Sequence, residues 1–174
     1  GRLVRLIREI RPHVLTCYDE NGGYGHPDHI QVHRMTVAAF QAAGDAAQYP
    51  EIGPAPWQPQ KLYYTAYPRS YIFTRYEIMR AMGAPVPADR PDFDPKTVGG
   101  TPDEIITTYV DVRDFILHKM DALRCHRTQI APDWWFTRVP HDVLREKFGL
   151  ECFIRIASHV PIDGPEDDLF TGLR

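Results

Sequence analysis

A chain of 174 residues fits one domain. Forty-three per cent apolar residues supply a core, and a formal charge of −3 without a lysine/arginine cluster excludes nucleic acid and membrane surfaces as expected partners. No apolar run approaches a membrane span and the first residues carry no signal-peptide pattern, so a cytoplasmic location is expected.

Gly1 leads at once into a helical pattern, with Leu3, Leu6, Ile7 and Ile10 at i, i+3, i+4, i+7 spacing and Arg2, Arg5 and Arg8 on the other faces. No entry loop or N-cap residue precedes it, so the sequence reads as a domain cut from something longer. Arg11-Pro12 stops this helix, and His13 to Cys17 reads as a short buried strand. Tyr18 to His26 is a glycine-rich loop at that strand's carboxyl end, where open α/β sheets bind ligands. Pro27 suits a first helical turn, and a helix is expected over Asp28 to Ala43 with Gly44 as its stop.

Asp45 to Gln60 reads as a surface loop, Lys61 to Ala66 as a second strand, and Ser70 to Met82 as an amphipathic helix closed by Gly83. Ala84 to Pro102 is proline-rich and reads as an exposed, lid-like crossing. Glu104 to Val110 is β-branched and aromatic, hence a third strand. Asp111 would cap a helix through Arg127, with Val112, Phe115, Ile116, Met120 and Leu123 as its apolar stripe. Pro140 to Phe148 is a short helix, Glu151 to Ala157 a last strand, and the tail is acidic and turn-rich.

This order predicts an α/β domain, with a Rossmann-like, mostly parallel sheet and helices on both faces, lacking its N-terminal βα units. It covers residues 1–174 as one domain: an αβα portion at 1–83, a loop at 84–102 and a C-terminal portion at 103–174. Cys17, Cys125 and Cys152 are an odd, widely spaced set, which reads as reduced thiols.

The segment richest in chemistry is Tyr24-Gly25-His26-Pro27-Asp28-His29. It places two imidazoles and a carboxylate at a loop-to-helix junction, where helix N–H groups favour negative charge. Tyr24 offers a phenolic donor to an oxyanion. Asp19 and His33 stand nearby in the chain. The plainer reading is a polar turn capping a helix. NGGYG alone is weak evidence for a phosphate cradle, and the pair His29/His33 lacks the intervening glutamate of an HExxH protease.

The stretch RPHVLTCYDENGGYGHPDHIQVHR resembles the second signature of the PIG-L/LmbE-like zinc deacetylases, a family that includes N-acetylglucosaminyl-inositol deacetylases and mycothiol S-conjugate amidases. PWQPQKLYY, DEIITTYVDV with HRTQI, DWWFTRVP and EDDLFTGLR extend the resemblance over most of the chain. The resemblance implies a zinc-dependent amide hydrolase, with Fe2+ as another metal such a site accepts. His29 matches a metal ligand. His26 matches the general acid or stabiliser of the tetrahedral intermediate, and Asp28 the carboxylate that orients a histidine. Tyr24 matches a tyrosine that closes over the site, and Gln129 a residue that approaches the substrate. His126 lies beside Gln129 and reads equally as structural.

The family draws two further ligands and its general base from an A-H-P-D-D-E segment, and this chain has none. The expectation is therefore the C-terminal part of a longer deacetylase, missing roughly 100–130 residues of a single α/β domain. The implied partners are a small-molecule N-acyl amino sugar or thiol conjugate and the N-terminal segment of the same enzyme; a homo-oligomer is compatible. The alternative is a non-catalytic or incomplete module that needs that segment, or a partner chain, to bind metal. A weaker third reading is a phosphate-binding α/β protein using the NGGYG loop. Trp134, Trp135 and Phe136 read as core or loop anchors, or as the wall of a sugar site.

Overall fold

The first helix, α1 (Arg2–Ile10), ends in a left-handed turn at Arg11, whose N–H returns to the Ile7 carbonyl at 2.8 Å. Pro12 then forces the chain into β1 (Val14–Cys17). The computed structural model describes residues 1–174, the side chain of Thr97 excepted. The further elements are α2 (Pro27–Ala43), β2 (Lys61–Ala66), α3 (Arg69–Ala81), β3 (Thr108–Asp111), α4 (Ile116–Arg124), α5 (His141–Phe148) and β4 (Leu150–Ser158). They form two compact units. The first comprises Gly1–Tyr67, Glu104–Tyr109 and Cys152–Arg174; the second comprises Pro68–Asp103 and Val110–Glu151.

The sheet runs β1-β2-β4-β3. β1 and β2 are parallel, with Val14 opposite Lys61 and Cys17 opposite Tyr64. β4 is antiparallel to β2, pairing Ala66 with Cys152, with a register shift at Leu62/Tyr63. The α/β class stands, but the sheet is mixed: β4 is reached from α5 and runs back along β2, a direction that local patterning does not encode.

In the first unit α2 lays Phe40 against Cys17 and Leu62. Val4 and Ile7 of α1 pack on Ala39 and Ala43 of α2, with Ile52 from the following loop. Arg8 belongs to this interface and is only 3% exposed. Its guanidinium donates to the carbonyls of Ala43 (3.0 Å), Asp45 (2.9 Å), Gln48 (2.8 Å) and Tyr49 (3.2 Å), closing the C-terminal end of α2. A cation is also favoured there by the helix dipole. The polar face expected for Arg8 is thus a buried cap. Arg8→Met is expected to cost on the order of 3 kcal/mol in urea unfolding, because several charge-assisted hydrogen bonds vanish and leave carbonyls unpaired; an unchanged midpoint would contradict the capping role.

Lys61, Tyr63 and Thr108 are fully buried beneath the C-terminal tail. The tail joins the first unit through Glu166: its N–H donates to the Thr107 carbonyl at 2.9 Å, and its own carbonyl accepts from the Tyr109 N–H at 2.9 Å. The Glu166 carboxylate receives Lys61, the Tyr63 hydroxyl at 3.0 Å and Arg155 at 2.5 Å. The turn-rich tail therefore contains one anchored, buried anion.

The second unit has its own core of Met79, Val86, Ile116, Met120, Trp135, Val139, Leu144 and Phe148. Asp103 caps α3, accepting the Ser70 N–H at 3.1 Å and the Ser70 hydroxyl. The Ser70 hydroxyl holds the Asp103 carboxyl below its ordinary range, although partial burial opposes it. Asp103–Ile105 is consequently a single 3-10 turn, and the third strand starts at Thr108, not Glu104. Likewise Arg113–Phe115 forms a 3-10 turn before α4, with the Arg113 N–H on Asp111 Oδ1 at 3.0 Å. That turn rotates Phe115 outward to 62% exposure, off the expected stripe, while Ile116 and Met120 stay buried. The stretch from Ala84 to Pro102 contains 3-10 turns at Pro87–Asp89 and Pro95–Thr97. Trp135 is a core residue, and Trp134 and Phe136 pack against that core.

Cys17 and Cys152 are buried, Cys125 is exposed, and none is in a disulfide. Burial and the nearby Asp19 charge push the Cys17 thiol up to about 11. Thiol titration of the native protein should find one fast-reacting group, with the rest reacting only after denaturation. Rapid labelling of Cys17 would contradict this packing. No helix among the described residues is long and apolar enough to cross a membrane.

Candidate active site

The loop leaving β1 is shaped by its own polar groups. Asp19 Oδ1 accepts the N–H groups of Asn21 (3.1 Å) and Gly23 (2.7 Å), and the Asp19 carbonyl accepts that of Gly22 (3.0 Å). Asp19 therefore acts as a turn former, with its carboxylate oriented on backbone. Gly22 is needed twice: its φ is +65°, and a Cβ there would lie 2.7 Å from the His29 Cβ and from the Ile30 nitrogen. This approach brings the loop against the first turn of α2.

His26 is the N-cap of α2, and Pro27 follows it inside the first turn. Its Nδ1 accepts the Asp28 N–H at 3.2 Å. A ring nitrogen that accepts is unprotonated, so the neutral ring carries its proton on Nε2 and can donate outward. Asp28 Oδ2 stands farther off, 4.0 Å from Nδ1, on a carboxylate 90% exposed. The closest partner that Asp28 gives His26 is its amide.

His29 lies on α2 and is half-buried. Its Nδ1 meets the Gly22 carbonyl at 3.2 Å. A carbonyl only accepts, so Nδ1 bears the hydrogen and Nε2 keeps its lone pair, the arrangement of a metal-binding histidine. The Tyr18 ring stacks on His29 with centroids 4.1 Å apart and planes 4° apart. Tyr24 stands edge-on to His29 at 5.0 Å, and the His26 and His29 rings are 5.1 Å apart. Tyr24 itself is 74% exposed, so its hydroxyl has room to move. Two tyrosine rings and two imidazoles thus cluster here, one imidazole offering a lone pair and the other an N–H.

Tyr24, His26, Asp28 and His29 are brought together by one loop and one helix end, all within the first unit. Gln129 belongs to the second unit. It is exposed, in the turn after α4, where its N–H returns to the His126 carbonyl at 2.9 Å. A cavity of about 380 Å³ in that unit is lined by Arg124, Arg127, Ile130, Ala131, Pro132 and Thr137. Sequence reasoning missed Tyr18 and Gly22, whose parts are an aromatic plate and a carbonyl. The only signal for them was position, at the start and in the middle of the glycine-rich loop.

His29 fits a divalent metal as one ligand, with Nδ1 already anchored. No group of three or more His, Cys, Asp and Glu side chains that could hold an ion exists among the described residues. A catalytic zinc needs three protein ligands and an open position, so this donor set is partial.

No family model matches the chain. It is 40% identical over 171 residues to a 1D-myo-inositol 2-acetamido-2-deoxy-alpha-D-glucopyranoside deacetylase of Geodermatophilus obscurus, covering 98% of this chain and 58% of that protein. It is 41% identical over 174 residues to a protein of the same description from Acidothermus cellulolyticus, covering 98% and 55%. A mycothiol S-conjugate amidase of Streptomyces coelicolor is 39% identical over 182 residues, covering 100% and 60%. The chain thus spans somewhat more than half the length of the curated relatives it matches. Among solved structures, a conserved protein of Thermus thermophilus superposes with a TM-score of 0.55 at 19% identity, over 92% of this chain and 59% of that one. That likeness supports the fold.

Proposed function

We propose, from the premise that this chain belongs to the LmbE/PIG-L family, that it carries one part of the active site of a zinc-dependent amide hydrolase. The bond cleaved is the amide of an N-acyl glucosamine derivative or of a thiol conjugate. The observation that carries this reading is the pairing of a fixed His29 Nε2 lone pair with an outward His26 Nε2–H, rings 5.1 Å apart. Related proteins named deacetylase and amidase support the same chemistry.

His29 would hold the metal, zinc or Fe2+, and a bound ion supplies Lewis acidity toward the amide carbonyl and a water nucleophile near neutral pH. His26 would offer its Nε2–H as a hydrogen bond that stabilises the tetrahedral intermediate, since its Nδ1 is held by the helix amide; the proton for the departing nitrogen is the one the general base takes from the attacking water. Tyr24 swings its exposed hydroxyl toward the oxyanion. Asp28 keeps His26 in register through its N–H. Gln129 is assigned to the substrate. The two remaining ligands and the general base belong to an A-H-P-D-D-E segment of the longer protein.

The test is amide hydrolysis by the full-length protein, offered an N-acetylglucosaminyl-inositol and a thiol-conjugate amide in separate arms. Release of acetate or free amine that stops with a chelator and returns with zinc supports the proposal. Chelator-insensitive hydrolysis, or none in either arm, contradicts it. The partial donor set favours one second reading, a module that binds metal only when joined to that segment or to a partner chain. Zinc affinity measured with and without the segment separates the two.

A further inference from the structure

Helix α2 holds the β1 outlet loop at its start and at its middle. His29 Nδ1–H reaches the Gly22 carbonyl, and one turn later His33 Nδ1 reaches the Tyr18 carbonyl at 3.1 Å. The second bond also requires the hydrogen on Nδ1, because its partner is a carbonyl. The His33 ring is seated edge-on against Tyr64 at 5.1 Å, and Tyr64 is paired in the sheet with Cys17, the residue before Tyr18. Tyr18 is thus fixed from the helix and through the strand, and its ring is the plate on which His29 lies flat at 4.1 Å.

We propose that His33 is a positioning residue for His29: by holding the Tyr18 carbonyl it fixes the plate that sets the ring plane and the Nε2 direction of His29. The inference rests on reading His29 as a metal ligand. In this proposal His33 acts only through the Tyr18 carbonyl and the Tyr64 ring. Phenylalanine at 33 keeps an aromatic ring but loses the donor, whereas asparagine keeps an N–H near the position of Nδ1.

The experiment uses the full-length protein and two readouts. Imidazole nitrogen NMR of the metal-free protein should find His29 as a single Nδ1–H tautomer in the wild type and in His33→Asn, and as a mixture in His33→Phe. Zinc affinity, measured by chelator competition, should fall by about 10–100-fold in His33→Phe, the range for residues that orient ligands, and stay near wild type in His33→Asn. Tyr18→Leu removes the plate and keeps the backbone bond, so it should reproduce His33→Phe; it also decides the matter if His33→Phe does not fold. A single His29 tautomer together with wild-type zinc affinity in these variants would overturn the proposal. Failure of the metal reading looks different: His29→Ala would then leave zinc affinity unchanged, while the metal-free tautomer readout would still decide the positioning role.

Discussion

Replacing His29 with alanine in the full-length protein is expected to remove amide hydrolysis to below detection while the melting temperature moves by only a few degrees. The loss should exceed the ~10–100-fold effect of residues that merely orient a ligand, because the ligand itself is gone. Stability should be nearly kept, since His29 is half-buried and its one hydrogen bond is to a loop carbonyl. His26→Ala provides the contrast. It removes a hydrogen-bond donor to the tetrahedral intermediate and an N-cap, so kcat should fall by about 10²–10³-fold while zinc stays bound. A His29→Ala protein that keeps a tenth or more of wild-type turnover would sink the assignment.

The second large effect concerns the fold. Glu166→Gln should destabilise the protein by about 3–5 kcal/mol, because Lys61 and Arg155 then face a neutral amide beneath the tail. The side chains of Lys61 and Glu166 are wholly buried, so solvent does not screen the loss. Burial alone would raise the Glu166 carboxyl, but the bonds from Lys61, Arg155 and Tyr63 outweigh it and hold it below its ordinary 4.5. The sign for stability follows. A carboxyl lowered in the folded state contributes fully above its unfolded value and loses that contribution as pH falls through the folded one. The melting-temperature gap between wild type and Glu166→Gln should therefore be widest near neutral pH and narrow below about pH 4.5. A gap independent of pH would contradict the buried clasp.

The same two places mark the boundary of what the sequence made legible. β2 spans the expected Lys61–Ala66, and α2 begins one residue earlier than expected, at Pro27. Both have local signals: an apolar, tyrosine-rich run after a proline-rich loop in one, a proline start and a glycine stop in the other. Arg8 read as part of a polar helix face and Glu166 as one charge of an acidic, turn-rich tail, because the partners that bury them include Ala43, 35 residues away, and Lys61, 105 residues away. The β3 boundary moved because Asp103 is taken up in capping α3. The antiparallel run of β4 depends on how the chain returns after α5, which periodicity does not record.

The site divides in the same way. Tyr24, His26, Asp28 and His29 are contiguous, so a motif could reveal them. The tautomers of His26 and His29 could not be read, because an amide N–H and a carbonyl set them. The expected Asp28–His26 carboxylate contact is a long one, and the helix amide lies closer.

Under the proposed function, His29 contributes one ligand to a zinc site. Equilibrium dialysis of the full-length protein against zinc tests it most directly. The account predicts about one tightly held zinc per chain in the wild type and none in His29→Ala, as for a three-ligand catalytic site that loses one ligand. Equal zinc content in the two proteins would contradict it.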